Sequence, residues 1–383
     1  MIIGDLVQND LLFAEHLSRK GLKCGVLRKH DQSSNNVTIV SEYHTHFKEN
    51  NIITIHTTRE FIKLAKKCRL IVSFTGALIF FLGKFWFLRS LIQLPPVVNI
   101  TTGSDITEWV NEKSLGAVLY RQHLHSADLN WCAPYPNSLK NIFIHDVPRV
   151  VFMRYPYYLV DQVNIGCITD KNQTISFFHT SHLDWKVNDT GENRKSSKGN
   201  DRFIRAFAKA IKSGLHAQCI ILDRGSDREI AKQLIRDLGV EDRFIWKPHL
   251  SRDELVDEFY KSDVIVDQFD IGGFGGIAME AMSVGKPVMI YIDRACARLL
   301  YPDDPPILNC HSEEEIYEQI MKCADRQFLE KLGKEAREWV YKYHNWETCL
   351  DQFIFYYTLL TGHQIQDYGW EKNPYKKDGR GGD

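Results

Sequence analysis

The chain has 383 residues, 44% of them hydrophobic and 25% charged, and a formal net charge of −1 from 48 Lys and Arg against 49 Asp and Glu. That length exceeds one ordinary core and fits two domains, and the composition is that of a folded soluble protein. The near-neutral balance excludes a protein built mainly to coat nucleic acid, so any attraction to phosphates or lipids must come from local clusters. The nine cysteines are odd in number and scattered, and none stands in a C-x-x-C. They read as reduced thiols of a cytosolic protein, not as a disulfide framework or zinc site. No basic n-region, apolar h-region and cleavage site opens the chain, and no internal repeat is visible.

In chain order, Ile2-Ile3 is a minimal first strand, followed by a helix carrying Leu12, Phe13, His16 and Leu17. Strands are predicted at 23–27, 51–55, 70–74 and 96–100. The irregular stretch RYPYYLVDQ places a domain boundary near residue 160, giving a first domain over 1–160 and a second over 161–345. The second domain alternates short apolar runs (175–179, 219–223, 243–246, 263–268, 287–291) with helical patterns near 200–213, 227–239, 251–261 and 276–285. Near-continuous apolar strands separated by helices indicate an α/β fold with parallel sheets covered on both faces. Ile204, Phe207 and Ile211 fall on one face of the helix at 200–213, with Asn200 or Asp201 as its expected cap. The polar stretch 186–200 reads as an exposed loop and 371–383 as a disordered tail.

Residues 272–288 read GGFGGIAMEAMSVGKPV. In a doubly wound sheet, ligands sit beyond the carboxyl ends of the strands, and the run DVIVDQ leads directly into these glycines. The helix that starts near Gly276 directs its unpaired N–H groups and positive dipole end into that crevice, and glycines let a phosphate reach them. A bare glycine cluster is as well explained by a tight turn. Glu280, one helical turn further on, shifts the reading, because a carboxylate there can accept hydrogen bonds from the vicinal hydroxyls of a ribose. Together these features read as a nucleotide site.

This motif resembles the donor site of the GT-B glycosyltransferases, specifically the retaining group called family 4, or glycosyl transferases group 1. HTSHLDW (179–185) with KGNDRFIRAFAKAI (198–211), the run 219–269 and WVYKYHNWETCLDQFIFYYTLL (339–360) resemble three further family segments in the same order. The resemblance covers roughly residues 175–360. It implies two Rossmann-like domains facing a cleft, an acceptor-binding first domain, a donor-binding second domain, and a C-terminal helix at 346–370 returning to the first. By position, Glu280 matches the glutamate that binds the donor's ribose hydroxyls. Gly273, Phe274, Gly275 and Gly276 match the loop against the diphosphate, and Lys198 the lysine that neutralises it. The segment Trp246 to Leu250, with Lys247 and His249, matches the place where the nucleobase docks. Arg224 falls near the phosphates. The donor expected is a UDP- or GDP-linked sugar, with no further cofactor and no metal. The family's proposal for retention is front-side attack, with the leaving phosphate taking the acceptor proton.

The sequence departs from the pattern in two places. Gly272 stands where the family carries the glutamate that holds the transferred sugar, with Asp267 or Asp270 as nearby substitutes. His182 stands where an arginine is common, so the site can draw on Arg224 or Arg202. In the first domain, the loop Gly103, Ser104, Asp105 follows the strand at 96–100. There Asp105 equally fits a group orienting the acceptor or stabilising charge at the sugar carbon, and a plain N-cap. His44/His46 and His123/His125 lack further ligands at zinc spacing. The stretch 78–94 is the most apolar, and Lys63, Lys66, Lys67 and Arg69 precede it. The pair suits an anionic membrane surface or an interior helix with snorkelling cations. The expected function is transfer of a hexose from a nucleotide diphosphate sugar to a glycan or lipid-linked glycan in surface polysaccharide assembly. An epimerase of the same layout and an inactive binding partner are the alternatives.

Overall fold

The computed structural model describes residues 1–3, 13–14, 16–18, 22, 24, 26–29, 52–82, 89–101, 103–156, 174–185 and 197–363. Expectations for His44/His46, the loop at 186–196 and the tail from 371 lie outside these residues. So do those for residues 83–88 of the apolar stretch and for most of the boundary region. The chain divides into two compact units: Met1–Ala133 with Asn137–Tyr155 and Trp346–Asp383, and Pro134–Pro136 with Pro156–Asn345.

The first unit is built on a parallel sheet of β1 (Ile2–Ile3), β2 (Val26–Lys29), β3 (Ile52–Ile55), β4 (Ile71–Phe74), β5 (Val97–Ile100), β6 (Leu129–Cys132) and β7 (Val150–Phe152), in the order β3-β2-β1-β4-β5-β6-β7. The strand expected at 23–27 is shifted and occupies 26–29. Both faces of β4 and β5 are buried, which accounts for their largely apolar runs, interrupted by the buried Ser73 and Asn99. The helix Trp346–Thr361 belongs to this unit. Phe353 packs edge-on against Phe13 at 4.9 Å, and Trp346 stacks on His16 at 4.1 Å.

The second unit carries β8 (Ile175–His179), β9 (Ala217–Leu222), β10 (Phe244–Lys247), β11 (Val264–Val266), β12 (Val288–Ile290) and β13 (Leu308–Asn309). They are all parallel, in the order β10-β9-β8-β11-β12-β13. The order reverses between β8 and β11, and the carboxyl ends of that pair are where an open α/β sheet forms its binding crevice. The helix Asn200–Lys212 buries Phe203, Ile204 and Phe207. Neither Asn200 nor Asp201 caps it. The cap is Gly199, whose left-handed conformation at φ 65° is one that a residue without Cβ adopts freely. Asn200 is instead buried, accepting from the Asp184 N–H at 3.2 Å and donating to Ser181 Oγ at 2.8 Å.

Candidate functional site

Strand β11 ends at Val266, so Asp267 and Gln268 already leave the sheet at the reversal point. Gln268 fastens the loop that follows. Its amide donates to the carbonyls of Gly273 (2.9 Å) and Tyr291 (3.2 Å), and its Oε1 accepts from the N–H groups of Asp270 and Ile271. Each glycine of the loop answers to a different neighbour. Gly272 has φ 73°, and a Cβ there would lie 3.0 Å from Pro136 Cγ. At Gly273 a Cβ would run into the Tyr135 ring, whose hydroxyl donates to the Phe274 carbonyl at 2.7 Å. At Gly275 it would meet Asp267 Oδ2 at 3.2 Å. Phe274 is buried against Trp339 at 5.7 Å.

Gly275 is the N-cap of the helix Gly276–Ser283. Among the described residues no side chain caps that helix and no acidic residue stands in its first turn, so its leading N–H groups and positive dipole end are left open at the end of the sheet. Around this terminus the fold gathers cations. Lys198 precedes the helix Asn200–Lys212. Its backbone is pinned by its N–H to the Asp184 carbonyl (2.6 Å) and by the Phe269 N–H to its carbonyl (2.7 Å), while its amine makes no hydrogen bond or ion pair among the described residues. Arg224 leaves β9 and donates through Nη2 to the Thr180 carbonyl, but its buried Nε has no partner. His182 is held below its usual pKa by burial and by the charges of Arg224, Lys198 and His249. Both Lys198 and Arg224 act on Asp267, whose carboxyl is nevertheless raised because burial outweighs them. Lys198, Arg224, Gly275 and Gly276 are thus brought together, with His182 and Asp267 beside them.

Glu280 is buried within the same helix and forms an ion pair with Arg252, the first residue of the helix Arg252–Lys261. Burial raises its carboxyl above the usual range, and Arg252 pulls against that shift. Lys247 pairs with the buried Glu258, and His249 is exposed at the end of the segment 246–250. Two of the proposed substitutes are engaged elsewhere. Arg202 binds Asp270 and the carbonyls of His311 (2.7 Å) and Phe269 (3.3 Å), while Asp270 also accepts from Ser197 Oγ at 2.5 Å. That leaves Arg224 and Asp267.

In the first unit, Asp105 is buried at the carboxyl end of β5. Its two oxygens accept from the Gly103 N–H (2.9 Å) and the Tyr120 hydroxyl (2.7 Å), and the cap position itself is Gly103. Of the H-x-H pair, His123 bonds Asn99 Oδ1 at 2.9 Å and His125 the His145 carbonyl at 2.8 Å. Among the described residues no group of three His, Cys, Asp or Glu side chains could hold a metal.

Three residues that shape this candidate site escaped the sequence. Arg252 lies 28 positions before Glu280; the S-x-x-E box at 251–254 marked its helix start but not its partner. Tyr135 had only its flanking prolines as a signal, and Gln268 none.

Residues 192–339 match the model of the glycosyl transferases group 1 family. An uncharacterized glycosyltransferase of Methanocaldococcus jannaschii is 23% identical over 171 residues, covering 42% of each chain. A poly(glycerol-phosphate) alpha-glucosyltransferase of Bacillus subtilis is 26% identical over 160 residues, covering 39% of this chain and 24% of its own. The matched region therefore spans under half the length of these relatives. Among solved structures, Anabaena HepE in complex with UDP and glucose superimposes with a TM-score of 0.67 at 14% identity, over 94% of this chain and 99% of that one. The chain has the two-sheet fold of the GT-B glycosyltransferases, and its residues 192–339 match the glycosyl transferases group 1 family.

Proposed function

We propose that the chain is a retaining hexosyltransferase that takes its sugar from a UDP- or GDP-linked donor and passes it to a glycan or lipid-linked glycan. The observation that carries this reading is the pairing of an uncapped helix N-terminus with two unspent cationic groups, the Lys198 amine and the Arg224 Nε. A diphosphate satisfies all of them at once, and the leaving phosphate is neutralised without a metal. Glu280, held in place by Arg252, then takes the ribose hydroxyls, and the segment 246–250 takes the base. Asp105, already engaged by Tyr120 and Gly103, acts on the acceptor side as a fixed negative charge and not as a proton carrier.

Binding and product analysis test this together. UDP, GDP and their glucose and mannose conjugates are titrated calorimetrically, and Glu280→Ala is expected to weaken the nucleotide that binds by about 1–3 kcal/mol, the range for charge-assisted hydrogen bonds. Unchanged affinity refutes the ribose assignment. Conversion of the donor without acceptor would identify an epimerase, and binding with no turnover an inactive partner.

We also place the protein at the inner face of the cell membrane, in surface polysaccharide assembly. Lys63, Lys66, Lys67 and Arg69 are all exposed, and Leu91 beyond them is 76% exposed, which suits an anionic lipid surface. Leu78, Ile79 and Leu82 are buried, so that part of the apolar stretch is interior packing. No helix among the described residues is long and apolar enough to cross a membrane.

A further inference from the structure

Asp267 is a buried acid among the cations of this site, and among the described residues no hydrogen bond or ion pair engages its carboxylate. The residue is 8% exposed, yet its side chain makes no hydrogen bond and no ion pair. Only its backbone is used, the N–H to the Met289 carbonyl (3.0 Å) and the carbonyl to Ser181 Oγ (3.0 Å). Its Oδ2 sits beside Gly275, at the cap of the helix whose N-terminus is left open. The charged and titratable groups that face it are Lys198 before the helix Asn200–Lys212, Arg224 after β9 and Tyr135 over the glycine loop. His182 feels the charges of Arg224, Asp184, Lys198 and His249. A buried carboxylate without hydrogen bonds is costly, and it persists where a charge must be balanced.

We propose that Asp267 is a resident counter-anion that a diphosphate replaces, so that donor binding is coupled to the uptake of a proton by this carboxylate. The inference rests on the diphosphate reading of the site. With the site empty, Asp267 is ionised and balances Lys198 and Arg224. When a diphosphate takes those cations over, two negative groups face each other in a buried space, and one must be neutralised. The proton comes from solvent and joins the Asp267 carboxylate. The resulting O–H donates to an oxygen of the ligand, so the repelling group becomes a hydrogen-bond donor. Burial already favours this, since it holds the carboxyl above its ordinary value before any ligand arrives.

The sign follows from linkage. A complex that holds one more proton than the free protein and ligand binds about tenfold more weakly for each unit of pH increase, between the Asp267 pKa of the free protein and that of the complex. Sugar nucleotides serve as the probe because their diphosphate diesters do not titrate in that range, unlike free UDP. UDP-glucose and GDP-mannose are titrated into the full chain between about pH 5.5 and pH 8, in buffers of different ionisation enthalpy. The expected result for wild type is uptake of about one proton per ligand. Asp267→Asn, which carries a neutral donor permanently, should bind with no pH slope and no uptake. It should match or exceed wild type at the alkaline end. His182→Gln should keep the slope. Binding by wild type without proton uptake overturns the inference while leaving the diphosphate reading intact. So does a slope that survives in Asp267→Asn or vanishes in His182→Gln. No binding of either sugar nucleotide to wild type defeats the diphosphate reading itself, and the inference falls with it.

Discussion

Replacing Arg252 by Met removes the counter-charge of Glu280 while keeping the aliphatic bulk of the side chain. Breaking a buried ion pair from one side costs about 3–5 kcal/mol, because an uncompensated charge remains. The Arg252 side chain is 24% exposed against 9% for Glu280, so partial screening reduces the expected loss to about 2–3 kcal/mol. In a unit of this size that corresponds to a fall in Tm of about 5–10 °C. The pH dependence separates this account from a simple packing defect. The Glu280 carboxyl is raised in the folded state, so the folded protein holds its proton more firmly than the unfolded chain does. Its ionisation therefore costs nothing below the unfolded pKa, costs progressively more as pH rises from there to the folded pKa, and levels off above it. Loss of Arg252 raises the folded value further and extends the penalty upward. Calorimetric melting of Arg252→Met against wild type should show a small difference near pH 4–5 that widens toward pH 8, and Glu280→Gln added to the variant should recover most of it. A deficit of equal size at every pH, or one that Glu280→Gln leaves untouched, would refute the pairing as the source of stability.

Lys198→Ala should lower turnover strongly and weaken sugar-nucleotide binding, while activity of the wild type persists in EDTA; inhibition by EDTA that manganese reverses would contradict neutralisation by the chain alone. Gly272→Glu, which restores the side chain the family carries there, should destabilise the second unit by about 1–3 kcal/mol, because φ 73° and Pro136 leave it no unstrained place; a thermal melt matching wild type would show the loop to be adaptable. Replacing Lys63, Lys66, Lys67 and Arg69 together by Ser should release the protein from anionic liposomes at physiological salt, each cation contributing about 1 kcal/mol, and equal pelleting of the two proteins would place the acceptor in solution.

The second unit was legible because its strands are buried on both faces and its helices on one, so the two periodicities stand out in the sequence. Phe203, Ile204 and Phe207 marked the helix Asn200–Lys212, and ISFFH marked β8 to the residue. Strands β6, β7 and β13 were not read. LNWC places the buried Asn130 in the interior, where it donates to the carbonyls of Leu124 and Pro148, and a polar residue satisfied by distant backbone breaks an apolar run. Strand β13 is two residues long and carries no pattern. The caps failed for a related reason. Gly199 stands at the cap while the Asn200 side chain is spent on Asp184 and Ser181, partners 16 and 19 residues away that no local pattern announces.

The glycine loop shows where reading by residue type stops and reading by neighbour begins. From sequence, its glycines form one class of residue stripped for one anion. In the fold they divide: Gly272 is required by its backbone conformation, Gly273 by the Tyr135 ring and Gly275 by Asp267. Only at Gly275, the cap of the open helix, does the missing side chain coincide with unpartnered N–H groups. The absence of a glutamate at 272 then has a local cause, because a left-handed residue wedged against Pro136 admits no long side chain. A side chain at 272 would be strained, and among the described residues the acid five positions earlier, Asp267 just after β11, makes no hydrogen bond or ion pair. The negative charge that the fold does offer at this loop is the Asp267 carboxylate, whose Oδ2 would lie 3.2 Å from a Cβ at Gly275.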